Sequence, residues 1–227
     1  GLLLGLWFAG RLLAAPVTGE IAEGGEAALP IAIVPFAGST GGAQNQDLAA
    51  VIDSDLARSA RCKTMPRGDM ISQPHESAEV DFADWRKLAQ DFLVVGKLLP
   101  SGAGQYSVQF QLLDVYRGEQ LLGWGSIRAT DANLRSVGHQ IADLIYEKLI
   151  GEPGIFNTRM AYITSVRQAD GSRVNELRVA DADGFNSQTI VRSKEPLLSP
   201  AWSPDGRRLA YVAFDKGQPG IYVQEVY

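Results

Sequence analysis

Ser199 to Phe214 read SPAWSPDGRRLAYVAF, two apolar stretches on either side of Pro204-Asp205-Gly206. Proline presets its own backbone angle and glycine accepts a positive φ, so the centre is a tight turn and the flanks are short strands. An earlier stretch, MAYITSV from Met160, echoes the second strand. Setting Tyr162 on Tyr211, or Leu177 on Ile221, gives a unit of roughly 44–49 residues, the size of a β-propeller blade. Residues 156–227 then hold a first blade and part of the next. So few blades cannot close a ring. The expectation is a piece of a longer protein, with the surface that a finished propeller presents lying largely beyond Tyr227.

Working outward from the repeat, the stretch after Pro153 carries strand and turn patterns only. Strands are predicted over Thr158–Val166, Glu176–Ala180, Ser187–Val191, Leu209–Phe214 and Ile221–Tyr227, with turns at Asp183-Gly184 and Asp205-Gly206. Before Pro153 the periodicity changes. Leu134, Val137, Ile141, Ile145 and Leu149 form one stripe of a helix that runs from Asp131, as N-cap, to Gly151. The shift in pattern puts a domain boundary near Glu152 to Asn157.

The preceding unit, residues 30–155, alternates strands and helices, which predicts an α/β domain. Ile31 to Phe36 form a nearly continuous apolar run, suited to a strand covered on both faces. After the loop Gly38–Gly42, Leu48, Val51, Ile52 and Leu56 fall at helical spacing, with Asn45 or Asp47 as N-cap. Phe82 to Ala89 predict a short helix and Phe92 to Leu99 a second buried strand. Beyond a turn at Gly102–Gly104, Tyr106, Val108, Phe110 and Leu112 alternate with polar residues, and Leu121 to Ile127 are expected to pair alongside.

Bulk properties limit the partners. The 227 residues are 45% apolar and carry 26 acidic against 21 basic side chains, a net charge of −5. Without a basic cluster, nucleic acid is not the expected partner. Cys62 is the single cysteine, so no intrachain disulfide can form; it lies between Arg61 and Lys63, and packing is the favoured role. Residues 1–16 hold the apolar run Leu2 to Ala9 and its continuation through Leu13, Ala14 and Ala15. The run falls well short of the roughly 20 residues that span a bilayer, and small residues follow it, so it is read as a signal-peptide remnant that implies export. Residues 17–29, rich in Gly and Glu, are expected to form a flexible exposed segment.

Little in the chain points to catalysis. Gly38-Ser39-Thr40-Gly41-Gly42 stands between a strand and a helix but lacks the Lys and hydroxyl of a phosphate loop. Asp181, Asp183 and Gly184 resemble the opening of a calcium loop without its later ligands, and a hairpin turn accounts for them. His75 and His139 are too few and too far apart to mark a metal site by sequence. On its helix His139 is expected opposite the apolar stripe, four residues before Asp143. A surface His–Asp pair is the favoured reading, and contact with the following domain the sharper one. No G-x-S-x-G elbow occurs. Trp202 is expected to fill the wedge between neighbouring blades, and Trp85 and Phe82 to pack the short helix.

Five stretches resemble the TolB family of the Tol–Pal system of Gram-negative bacteria: PIAIVPF from Pro30, DFLVVGKL from Asp91, VQFQLLDVYRGEQLLG from Val108, HQIADLIYEKLIGEPGIFNTRMAYI from His139 and LLSPAWSPDGRRLAYV from Leu197. The helix-to-strand junction from His139 to Ile163 is the most specific. The resemblance implies an α/β domain with two main helices on a mixed sheet, followed by a propeller that is six-bladed in the family and incomplete here. It implies a periplasmic interaction protein with no catalytic residues, cofactor or metal. Its implied partners are the inner-membrane protein TolA and the peptidoglycan-associated lipoprotein Pal, with roles in outer-membrane integrity and cell division. By position, the implied TolA-binding segment is Val17, Thr18, Glu20, Ile21, Ala22, Glu23, Gly24 and Gly25. Pal would bind mainly through propeller residues absent from this chain, and its binding would control whether that segment is free or docked. His139 is the candidate at the domain interface. The alternative is a propeller-containing fragment of a periplasmic peptidase or hydrolase, since WSPDG repeats also occur in propellers attached to peptidases.

Overall fold

In the computed structural model, residues 27–38 and 47–226 are described. The first strand, β1 (Leu29–Ile33), sits inside a five-stranded sheet. Successive side chains of a strand point to opposite faces. Ile31 and Ile33 therefore enter one apolar core, while Ala32 and the following Val34 enter another. Being covered on both sides explains why this segment reads as a continuous apolar run.

Helix α1 (Leu48–Arg58) starts at Asp47, whose Oδ1 accepts the Ala50 N–H at 3.1 Å. A three-residue strand, β2 (Cys62–Thr64), follows and pairs parallel to β1. It is too short to show a periodicity in the sequence. Two single 3₁₀ turns lead to α2 (Phe82–Lys87), capped by Asp81, which accepts the Ala83 N–H at 2.9 Å. Then come β3 (Phe92–Gly102), β4 (Gln105–Asp114) and β5 (Glu119–Thr130). The order is β2-β1-β3-β4-β5, parallel at β2-β1-β3 and antiparallel from β3 to β5, a mixed sheet.

Helix α3 (Leu134–Ile150) begins later than expected. Asp131 does not cap it: its Oδ1 accepts the Tyr106 hydroxyl at 2.8 Å, and Asn133 takes the cap position while its own side chain accepts the Thr130 N–H at 2.6 Å. The other end is as expected, with Gly151 in the left-handed region at φ 83° and its N–H on the Glu147 carbonyl. α1 and α3 cover one face of the sheet through Leu48, Ile52, Leu56, Val137, Ile141 and Ile145. α2 covers the other through Trp85, which is fully buried against Leu93, Val95 and Leu113.

The remainder forms two antiparallel three-stranded sheets. One holds β6 (Arg159–Arg167), β7 (Arg173–Asp181) and β8 (Gln188–Ser193); the other holds β9 (Leu197–Trp202), β10 (Arg208–Asp215) and β11 (Gln218–Glu225). They meet through Leu177, Val179, Leu197, Leu209 and Tyr211, with Trp202 packed at the margin. At the Pro-Asp-Gly turn, Asp205 Oδ1 accepts the Ser203 hydroxyl at 2.5 Å and the Arg207 N–H at 3.1 Å. Two sheets of this kind after an α/β layer are consistent with a partial propeller.

Candidate functional site

The densest polar cluster joins the helices to the strand-rich half. Asp55, in the last turns of α1, is fully buried. One of its oxygens accepts from Arg58 at 2.8 Å, and the other lies 2.5 Å from His139 Nδ1. A carboxylate accepts, so this imidazole nitrogen donates. Nε2 lies 3.8 Å from Asp183 Oδ2, in the turn between β7 and β8. One helical turn before His139, Arg135 pairs with the same Asp183 oxygen and lies over the Phe185 ring, 4.2 Å from its centroid. Burial pushes the Asp183 carboxyl up, but the Phe185 N–H, the Arg135 hydrogen bond and the electrostatic pull of Arg135 and His139 outweigh that and hold it below the usual carboxylate range.

The connection beside this cluster is also polar. Asp143 accepts the N–H groups of Phe156 at 2.7 Å and Asn157 at 3.1 Å, and the Ser136 hydroxyl donates to Asn157 Oδ1 at 2.9 Å. Gly154 permits the approach, because a Cβ there would stand 2.6 Å from the Asp143 Cα. Phe156 then packs edge-on against Tyr146, with ring centroids 5.6 Å apart. A groove of about 400 Å³ opens nearby, lined by Arg58, Tyr146, Pro153, Ile155, Phe156 and Ala182.

The expected surface pair of His139 with Asp143 does not form. His139 is 2% exposed and faces Asp55 and Asp183, while Asp143 ties down the chain after the helix. The stripe rule assumes one covered face, whereas α1 and the β7–β8 turn cover this side of α3 as well. Asp183 lies in the hairpin turn, as expected, and Asp181 ends β7 at its base, yet the fold also brings both beside His139. Neither Asp55 nor Arg135 stood out in the sequence. Asp55 had one legible signal, a charge inside an otherwise apolar helix face. Burial pushes the Cys62 thiol up against the smaller opposite effect of Arg61, which suits a packing role. The segment Val17, Thr18, Glu20, Ile21, Ala22, Glu23, Gly24 and Gly25, residues 1–16 and positions 39–42 of the glycine loop lie outside the described residues. No helix among the described residues is long and apolar enough to cross a membrane.

An α/β domain whose terminal helix leads directly into propeller-type sheets, with its polar junction devoted to holding the two together, defines the class. Two family models match this chain: the TolB amino-terminal domain over residues 18–121 and the TolB beta propeller domain over residues 146–227. The chain belongs to the TolB family. The "Tol-Pal system protein TolB" of Nitrosococcus oceani is 51% identical over 212 residues, covering 93% of this chain and 48% of that protein. The protein of the same name from Xanthomonas campestris pv. campestris strain B100 is 46% identical, covering 92% of this chain and 48% of that protein. The crystal structure of TolB from Acinetobacter baumannii superposes with a TM-score of 0.78 at 32% identity, over 91% of this chain and 49% of that one. The chain thus spans about half the length of the curated relatives it matches.

Proposed function

We propose that this chain is part of a periplasmic, non-enzymatic interaction protein of the Tol–Pal system, linking the inner-membrane protein TolA to the peptidoglycan-associated lipoprotein Pal. The observation that carries this reading is collinearity: both TolB family models match in order, and relatives named for the Tol–Pal system align over more than nine-tenths of the chain. The protein's role in this reading is support of outer-membrane integrity and cell division. The TolA-binding segment is Val17 to Gly25. A short extended segment with free backbone groups can add a strand to a partner's sheet edge, and its glycines keep it adaptable when undocked. His139 is the interface residue that, with Asp55 and Asp183, holds the α/β domain to the propeller.

The test is a titration of the periplasmic part of TolA against the complete protein and against a form lacking residues 17–25. Loss of TolA binding with unchanged Pal binding and unchanged melting temperature is the expected result. Equal TolA affinity in both forms would refute the assignment of the segment.

A further inference from the structure

We propose that His139, Asp181 and Asp183 form a binding site for a divalent transition-metal ion of the zinc type, held between α3 and the β7–β8 turn. One donor atom from each of the three residues lies within 4.8 Å of the other two. The chemistry of the set is one imidazole nitrogen and two carboxylates, which suits zinc and leaves a coordination position for water. Two carboxylates near each other would not alone make a site. The imidazole supplies the independent observation: His139 is 2% exposed, its Nε2 has no hydrogen-bond partner, and that atom points at Asp183.

Asp55 completes the arrangement. A histidine that ligates a metal ordinarily donates its other N–H to a carboxylate, which fixes the tautomer and orients the ring. The 2.5 Å contact between Asp55 Oδ2 and His139 Nδ1 supplies that support from α1. Arg58 pairs with Asp55 and Arg135 with Asp183, and the Asn186 amide donates to Asp181 at 3.0 Å. Arg135 occupies the Asp183 oxygen in the metal-free chain and yields it on binding, keeping its seat over the Phe185 ring; the other Asp183 oxygen still accepts the Phe185 N–H. The ion would clamp the helix layer to the first strand-rich sheet. None of its ligands falls within residues 17–25, so this site and the TolA assignment stand or fall separately.

The experiment is calorimetric titration of zinc chloride into the full chain after chelator treatment, with cobalt(II) absorption as the second readout. One saturable ion per chain is expected, with visible cobalt bands, and a melting temperature raised by roughly 5–10 °C at a hundred-fold excess of free zinc over Kd. Asp181→Asn, an isosteric change at the half-buried end of β7, should weaken zinc binding at least ten-fold. His139→Gln should abolish it, and His75→Gln should leave it unchanged. Absence of saturable uptake, or equal affinity in Asp181→Asn, would overturn the site.

Discussion

At the residue scale the junction depends on charges that are satisfied only by one another. Asp55 is buried between the half-exposed Arg58 and the buried His139, so Asp55→Ala leaves the His139 Nδ1–H inside the fold without its acceptor. Breaking a buried pair from one side costs about 3–5 kcal/mol, and urea unfolding should show a loss of that order. Asp183 predicts a pH dependence. Its carboxyl sits below its ordinary value in the folded chain, so its contribution is fully present above the unfolded value near 3.8. That contribution is lost as pH falls through the lower folded value. With chelator present, acid unfolding of Asp183→Asn should show a shallower loss of stability below about pH 4 than the parent. Gly154→Ala should destabilise by about 1–3 kcal/mol, since its Cβ would meet the Asp143 Cα at 2.6 Å as well as its carboxylate, so moving the side chain alone would not relieve the clash.

Elements whose apolar residues recur at a regular spacing were legible because that spacing belongs to the segment itself. The stripe of α3, the alternation of β4 and the Asp47 cap of α1 all follow local rules, and the fold obeys them. β2 and the true start of α3 did not follow local rules. β2 exists because β1 offers it a paired edge, and the α3 start is displaced because Tyr106, on β4, captures Asp131. α2 shows how little is needed to place an element: it has only six residues, and Trp85 is the one that is fully buried. Trp85→Ala should therefore cost about 3–5 kcal/mol and release α2 from the sheet, seen as faster amide exchange over residues 82–88.

Over the whole molecule, the strand-rich half presents a sheet edge. Ile221 is 80% and Val223 63% exposed on β11, which pairs on one side only, with β10. Unpaired apolar edges recruit further strands. The 227-residue chain should therefore self-associate with rising concentration, and Val223→Lys should shift it toward monomer in light scattering. The α/β order, the turn chemistry and the family follow from the sequence alone, because periodicity, Pro-Asp-Gly turns and contiguous motifs are local properties. The surroundings of His139 are not local. Asp55 precedes it by 84 residues and Asp183 sits in a hairpin of the next sheet, so no spacing rule connects them. Only the tertiary structure, by laying α1 and the β7–β8 turn against the same side of α3, turned a helix-surface histidine into a buried one whose Nε2, without a hydrogen-bond partner, lies beside two carboxylates.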